Sequence, residues 1–214
     1  MITDSQFELI LKDLSEKVAI PFVVPVRPET NAPYRFCFPS VKAKIKSDGG
    51  EMVIGWILHR ELYFIELECH AIWKSLNGEL VDITQKETPH VNQILFLPDL
   101  NILYEGKRIN NIMVNPLGLK MVDHLRTVNK LIFDITDKGD RASNLGEINL
   151  EGAEAAQYIY LQGEKNELVK FINNNHDEDY LCFCMSGKSF GDCHFNNYDE
   201  HCWKILEKYD LRKS

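Results

Sequence analysis

The sequence predicts an α+β protein: a short helix and an antiparallel sheet in the first half, a helical second half, and a small C-terminal metal module. Three observations lead there. Residues 51–58, 63–74 and 79–84 are runs rich in Val, Ile, Trp, Tyr and Phe, the signature of strands. After Pro116 the apolar residues return to helical spacing. Near the end, Cys182, Cys184, Cys193 and His194 gather four metal-ligating side chains. The expected divisions are an α+β domain over 1–115, a helical extension over 116–178 and the module over 179–214.

The first element is an amphipathic helix. Phe7, Ile10, Leu11, Leu14 and Val18 form one apolar stripe, and Ser5 with Glu8 has capping-box spacing. Pro21 stops it. Pro21, Pro25, Pro28 and Pro33 then predict a connection rather than a helix. A second helix is expected over 37–46, with Pro39 in its first turn and Asp48-Gly49-Gly50 ending it. Asn77-Gly78 predicts a two-residue hairpin between the second and third strands. A further strand is expected over 95–104. Beyond Pro116, helices are expected from Leu119 to Phe133, over 153–160 and over 167–173, followed by a polar connector over 173–179.

The chain has 214 residues, long enough to bury a core without disulfides. Its 24 basic and 32 acidic residues leave a net charge of −8, which argues against a nucleic-acid binder, since that needs clustered Lys and Arg. Apolar runs fall short of the roughly 20 residues that cross a bilayer. Asp4 and Glu8 do not fit a signal peptide. A cytoplasmic location is therefore expected, with the cysteines as thiols, metal ligands or a nucleophile.

Cys182 and Cys184 are one residue apart, and eight residues separate Cys184 from the adjacent Cys193-His194 pair. Three thiolates and an imidazole satisfy tetrahedral Zn2+, and four protein ligands make the site structural rather than catalytic. So short a segment cannot bury a core, and metal binding supplies its folding free energy. The stretch 181–195, with its Ser186-Gly187-Lys188 turn and Phe190, resembles the SEC-C motif, the zinc module at the C-terminus of the SecA translocase. Met185 stands where that family usually has glycine. The resemblance implies a docking element for a protein partner. Cys202 shares a helical stripe with Ile205, Leu206 and Tyr209 and reads as a core thiol, and neighbouring His201 as no ligand.

A second constellation is Cys37, His70 and Asp82. Cys37 opens a helix, whose N-terminal partial charge and free N–H groups favour a thiolate and can hold an oxyanion. His70, on a strand, is a candidate general base and acid, and Asp82, on the next strand, would orient it. A two-residue turn at 77–78 offsets His70 and Asp82 by about three residues, a gap that a bulge or diagonal reach must close. Each residue also has a plain reading: a buried thiol, a core histidine, a turn aspartate. Asn31 is a candidate oxyanion donor or a turn residue, and Tyr34 and Trp56 are pocket walls or core. Cys69 is expected to face away from His70.

His70-Ala71-Ile72-Trp73, followed by a hairpin and Asp82-Ile83-Thr84, resembles the His and Asp strands of the transglutaminase-like cysteine fold. Cys37 at a helix start matches that family's Cys, His, Asp order. The likeness covers residues 34–84. It implies a thiol acyl-transfer enzyme acting on an amide by hydrolysis, deamidation or transamidation. The whole chain is similar to bacterial proteins that join such a segment to a terminal SEC-C motif. The alternative is a non-enzymatic zinc protein that docks on a protein partner.

Overall fold

The computed structural model describes residues 1–30, 36–86, 90–143, 148–174 and 176–208. They fall into two compact units, Met1–Glu61 with Ile65–Val114, and Leu62–Phe64 with Asn115–Ser214. Mixed helix and antiparallel sheet make the fold α+β. Among the described residues no helix is long and apolar enough to cross a membrane.

In the first unit, helix α1 (Asp4–Lys17) is capped at Thr3, two residues before the expected Ser5. Thr3, in extended backbone, accepts the Gln6 N–H at 3.2 Å, and the Gln6 side chain accepts the Thr3 N–H at 2.9 Å. Thr3 and Gln6 thus form the capping box expected of Ser5 and Glu8. Strand β1 (Phe22–Pro25) occupies the proline-rich stretch expected to be a connection. Proline is tolerated there because β1 ends the sheet order, its described ladder being with β5 (Gln93–Pro98). Helix α2 (Cys37–Asp48) ends at Gly49, whose φ of 74° favours glycine.

Strands β2 (Glu51–Arg60) and β3 (Ile65–Lys74) pair antiparallel over their full lengths. Strand β4 (Leu80–Val81) is shorter than the sequence suggests, and β5 lies over 93–98 rather than 95–104. The short strand β6 (Ile112–Val114) pairs with Ile65–Leu67 of β3. The sheet order is β1-β5-β2-β3-β4, with β6 beside β3. Ile57, Ile72, Val24 and Phe96 form the core on one face. On the other, Cys37, Phe38 and Val41 of α2 pack with Ala71, Val81 and Ile83.

The turn after β3 differs from the expected two-residue hairpin. Trp73 faces Val81 and Lys74 faces Leu80, so the loop is the three residues Leu76, Asn77 and Gly78. Ser75 closes it: its N–H donates to Glu79 O at 2.9 Å, and its hydroxyl accepts the Glu79 N–H at 3.0 Å. Gly78, at φ 83°, takes the left-handed position such loops require.

The second unit is helical. Helix α3 (Lys120–Thr136) buries Met121, Val122, Leu125, Val128, Leu131 and Ile135 on one stripe. Helix α4 (Gly152–Asn173) is continuous where two pieces were expected. Buried Leu161 and Leu168, two turns apart, carry one face across the polar run, and Gly163 within it costs only about 1 kcal/mol relative to Ala. A π-type turn (Gly191–Phe195) and helix α5 (Tyr198–Lys208) complete it.

Candidate functional site

Two clusters carry chemistry. The first lies along the free side of β3. On that side, β4 pairs with Trp73 and Lys74, and β6 pairs with residues 65–67. Residues 68–72 have no strand partner there among the described residues, and His70 sits at the centre of that interruption. Beyond Val81 the chain leaves the β3 ladder. The Asp82 N–H donates to Pro25 O at 3.0 Å, and Asp82 O accepts the Arg27 N–H at 2.8 Å. This bridge to the segment after β1 holds Asp82 beside His70.

His70 and Asp82 are both buried. His70 Nε2 lies 3.0 Å from Asp82 Oδ1, which also accepts the Thr84 N–H at 2.9 Å. Lys86 Nζ lies 2.5 Å from Asp82 Oδ2. At Nε2 and Oδ2 these short contacts are ion pairs without aligned hydrogen-bond geometry. Cys37, the first residue of α2, lines the same cavity as His70 and lies close enough to raise the imidazole's pKa. Phe36, the residue capping α2, provides no side-chain bond, and Pro39 has no N–H.

Burial opposes charge on His70, but the contacts with Asp82 and then Cys37 outweigh it and hold the imidazole up at about 9. Burial likewise opposes the Asp82 carboxylate, yet the contact with His70 and the charges of His70 and Lys86 bring it down to about 2. Cys69 is pushed up to about 12 by burial, with the neighbouring negative charges of Cys37 and Glu68 adding to it. A cavity of about 480 Å³ opens onto this set, lined by Cys37, His70, Thr84, Lys86, Glu68 and Ile57 among others. That volume suits a small molecule or one side chain. At its edge His59 Nε2 and Glu68 Oε2 pair at 2.7 Å.

Cys37, His70 and Asp82 are therefore brought together. Cys69 lines the cavity too, although it alternates with His70 along β3. Trp56 is core, its indole N–H donating to Asp99 at 3.0 Å. Asn31, Tyr34 and Tyr209 lie outside the described residues. Lys86 and the His59–Glu68 pair escaped sequence reasoning. The pair becomes readable once Ile57 is known to face Glu68, which puts His59 diagonal to it. Lys86 follows Asp82 by four residues, but outside a helix that spacing predicts nothing.

The second cluster is Cys182, Cys184, Cys193 and His194, whose ligand atoms all lie within 4.8 Å of one another. Cys182 Sγ is 3.3 Å from His194 Nδ1, Cys193 Sγ is 3.7 Å from the same nitrogen, and Cys184 and Cys193 sulfurs are 3.5 Å apart. A tetrahedral ion with Zn–S bonds near 2.3 Å and Zn–N near 2.0 Å has edges of about 3.5–3.8 Å, so the set can hold a metal ion. A tight hairpin builds half of it: Leu181 bridges Ser189, and the Cys182 N–H donates to Lys188 O at 2.9 Å. Met185 in its loop has a left-handed φ of 59°. The π-type turn delivers Cys193 and His194. Ser186 Oγ lies 3.2 Å from Cys193 Sγ, and the His201 ring lies over His194 at 4.0 Å. His201 itself pairs with Glu164 at 3.2 Å, and Cys202 is a buried thiol.

No family model, curated protein or solved structure matches the chain. The reading of both clusters rests on their own chemistry.

Proposed function

We propose that the first unit is a thiol acyl-transfer enzyme acting on an amide, with Cys37 as nucleophile, His70 as acid and base, and Asp82 as the group orienting the imidazole. The observation that carries this reading is that a buried imidazole, 3.0 Å from a buried carboxylate, shares the wall of a cavity with a cysteine at a helix start. Cys37 at a helix start, His70 on a strand and Asp82 just past the end of β4, off the expected strand, keep the chain order of a transglutaminase-like fold.

The steps follow from the charges. The Cys37 thiolate adds to the amide carbonyl carbon, forming a C–S bond as the π electrons move to oxygen. The backbone N–H groups of Cys37 and Phe38, in the first turn of α2, are the donors proposed for that oxyanion. The oxyanion collapses, the C–N bond breaks, and His70 gives its proton to the departing nitrogen. Water, or an amine, then attacks the thioester while His70 takes its proton, and the thiolate leaves. Hydrolysis, deamidation and transamidation differ only in the amide and the acceptor. A His70 held near 9 keeps the acid form ready at neutral pH.

We further infer that the C-terminal cluster holds one structural Zn2+, in a SEC-C-like module that docks on a protein partner. Both clusters need reduced thiols, in keeping with a cytoplasmic setting. The competing reading, a non-enzymatic interaction protein, draws on the burial of Cys37, only 8 % exposed.

Alkylation by iodoacetamide, with sites read by mass spectrometry, separates the two readings. Rapid labelling of Cys37 near neutral pH, lost in His70→Ala and slowed in Asp82→Asn, supports the enzyme. Labelling no faster than at Cys69, and unchanged in His70→Ala, overturns it.

A further inference from the structure

Asp82 holds two cations at once, His70 on Oδ1 and Lys86 on Oδ2. Thr84 N–H fixes the first oxygen. Lys86 is itself largely buried, its side chain 18 % exposed, and it lines the cavity with Cys37 and His70. A thiolate, an imidazolium and a carboxylate alone would leave one uncompensated negative charge in a buried place, which is costly. Lys86 supplies the missing positive charge.

We propose that Lys86 is a positioning residue for the thiol chemistry, clamping Asp82 and making the four-charge cluster of Cys37, His70, Asp82 and Lys86 electrically neutral. The inference rests on the thiol-enzyme reading for its consequence in catalysis. Neutrality persists through the reaction, because addition to a carbonyl only moves the negative charge from sulfur to oxygen. Among the described residues, Asp99 acts on Cys69 from nearby, and Glu68, Arg27 and Cys69 are paired or neutral. Glu68 pairs with His59 at 2.7 Å, Arg27 pairs with Glu79 at 2.6 Å, and the Cys69 thiol, pushed up to about 12, carries no charge at neutral pH.

The sign of the effect is fixed. A positive charge beside the cluster favours the thiolate and disfavours the imidazolium. Removing it moves both pH limits of the thiolate–imidazolium form upward. A role in packing alone would not move both limits the same way.

The test compares wild type with Lys86→Met and Lys86→Arg, with Lys86→Gln as a second neutral variant should Met prevent folding. The lower limit is read from the rate of Cys37 alkylation against pH. The upper limit is read from the His70 imidazole NMR shift, assigned with His70→Gln. In the neutral variant both limits should rise by about one pH unit, slowing Cys37 labelling about tenfold at pH values below its lower limit. Lys86→Arg should keep both near wild type. A His70 limit unmoved in the neutral variant, or an arginine variant that behaves like the neutral one, overturns the proposal. If wild-type Cys37 labels no faster than Cys69 while the His70 limit still rises in the neutral variant, the enzyme reading falls and the charge-balancing role of Lys86 stands.

Discussion

His70 and Asp82 lie two positions out of register across the β3–β4 pair and meet at 3.0 Å. Trp73 opposite Val81 places Asp82 level with Ile72, and a step of two along β3 returns to the same face of the sheet. A turn one residue shorter would put the two side chains on opposite faces. The three-residue loop with Gly78 is thus what lets the imidazole and the carboxylate meet without a bulge.

Breaking this pair should be expensive. Asp82→Asn leaves His70 and Lys86 without their shared counter-charge, and a loss of about 3–5 kcal/mol is expected for one partner of a buried pair. Urea unfolding followed by circular dichroism measures it. A loss under about 1 kcal/mol would mean that the pair is solvated in solution.

Stability should also depend on pH in a definite way. The His70 pKa, ordinarily 6.5, is raised to about 9, so its contribution is complete below about pH 6.5 and fades as pH climbs towards 9. The Asp82 pKa, ordinarily 3.8, is lowered to about 2, so its contribution is present above about pH 4 and fades as pH falls towards 2. Unfolding midpoints should be highest between these ranges, and His70→Gln should flatten the alkaline slope. An unchanged slope in that variant would assign the pH dependence to other groups.

Purified protein should carry about one zinc per chain, measured by plasma emission, and Cys182→Ser with Cys184→Ser should abolish it. Chelation should expose Cys182, Cys184 and Cys193 to alkylation while the sheet unit keeps its circular dichroism. Zinc retained in the double variant would mean that other residues are the ligands.

Met185 is 94 % exposed and has a left-handed φ of 59°. Its side chain adds little packing, while the backbone strain is of order 1 kcal/mol. Met185→Gly should therefore raise the thermal midpoint of the zinc-loaded protein slightly, or leave it unchanged. A clear drop would show that the Met185 side chain makes contacts in solution.

Much of this was legible in the sequence, and the failures have physical causes. Cys37 at the start of α2 followed from Pro39 and the double glycine, and the Cys/His cluster that could hold a metal followed from its spacing and turn. The paired strands announced themselves by β-branched and aromatic residues. Strand β1 was hidden by Pro25, because only its edge position makes a proline acceptable there. The two-residue hairpin was misread because Ser75 captures Glu79 and widens the loop, a side-chain effect that Asn-Gly does not reveal. Helix α4 looked divided because Leu161 and Leu168 connect across a polar turn only in three dimensions. Lys86 was invisible because its partner, four residues earlier, is reached along an irregular stretch.

The separation in chain between the groups of the first site has a consequence for the order of folding. His70 and Asp82 are joined by a hairpin whose loop is only three residues long, and hairpins form in about 1–10 μs. Cys37 must be gathered from further away, and β1 must wait for β5, which lies some seventy residues later, before the bridge at Asp82 can close. The hairpin can thus bring His70 and Asp82 near one another as a local event, while the bridge that fixes Asp82 and the burial of the pair come late. A chain emerging from synthesis would hold His70 and Asp82 near one another in water first, and bury them only once β5 has brought β1 to the sheet.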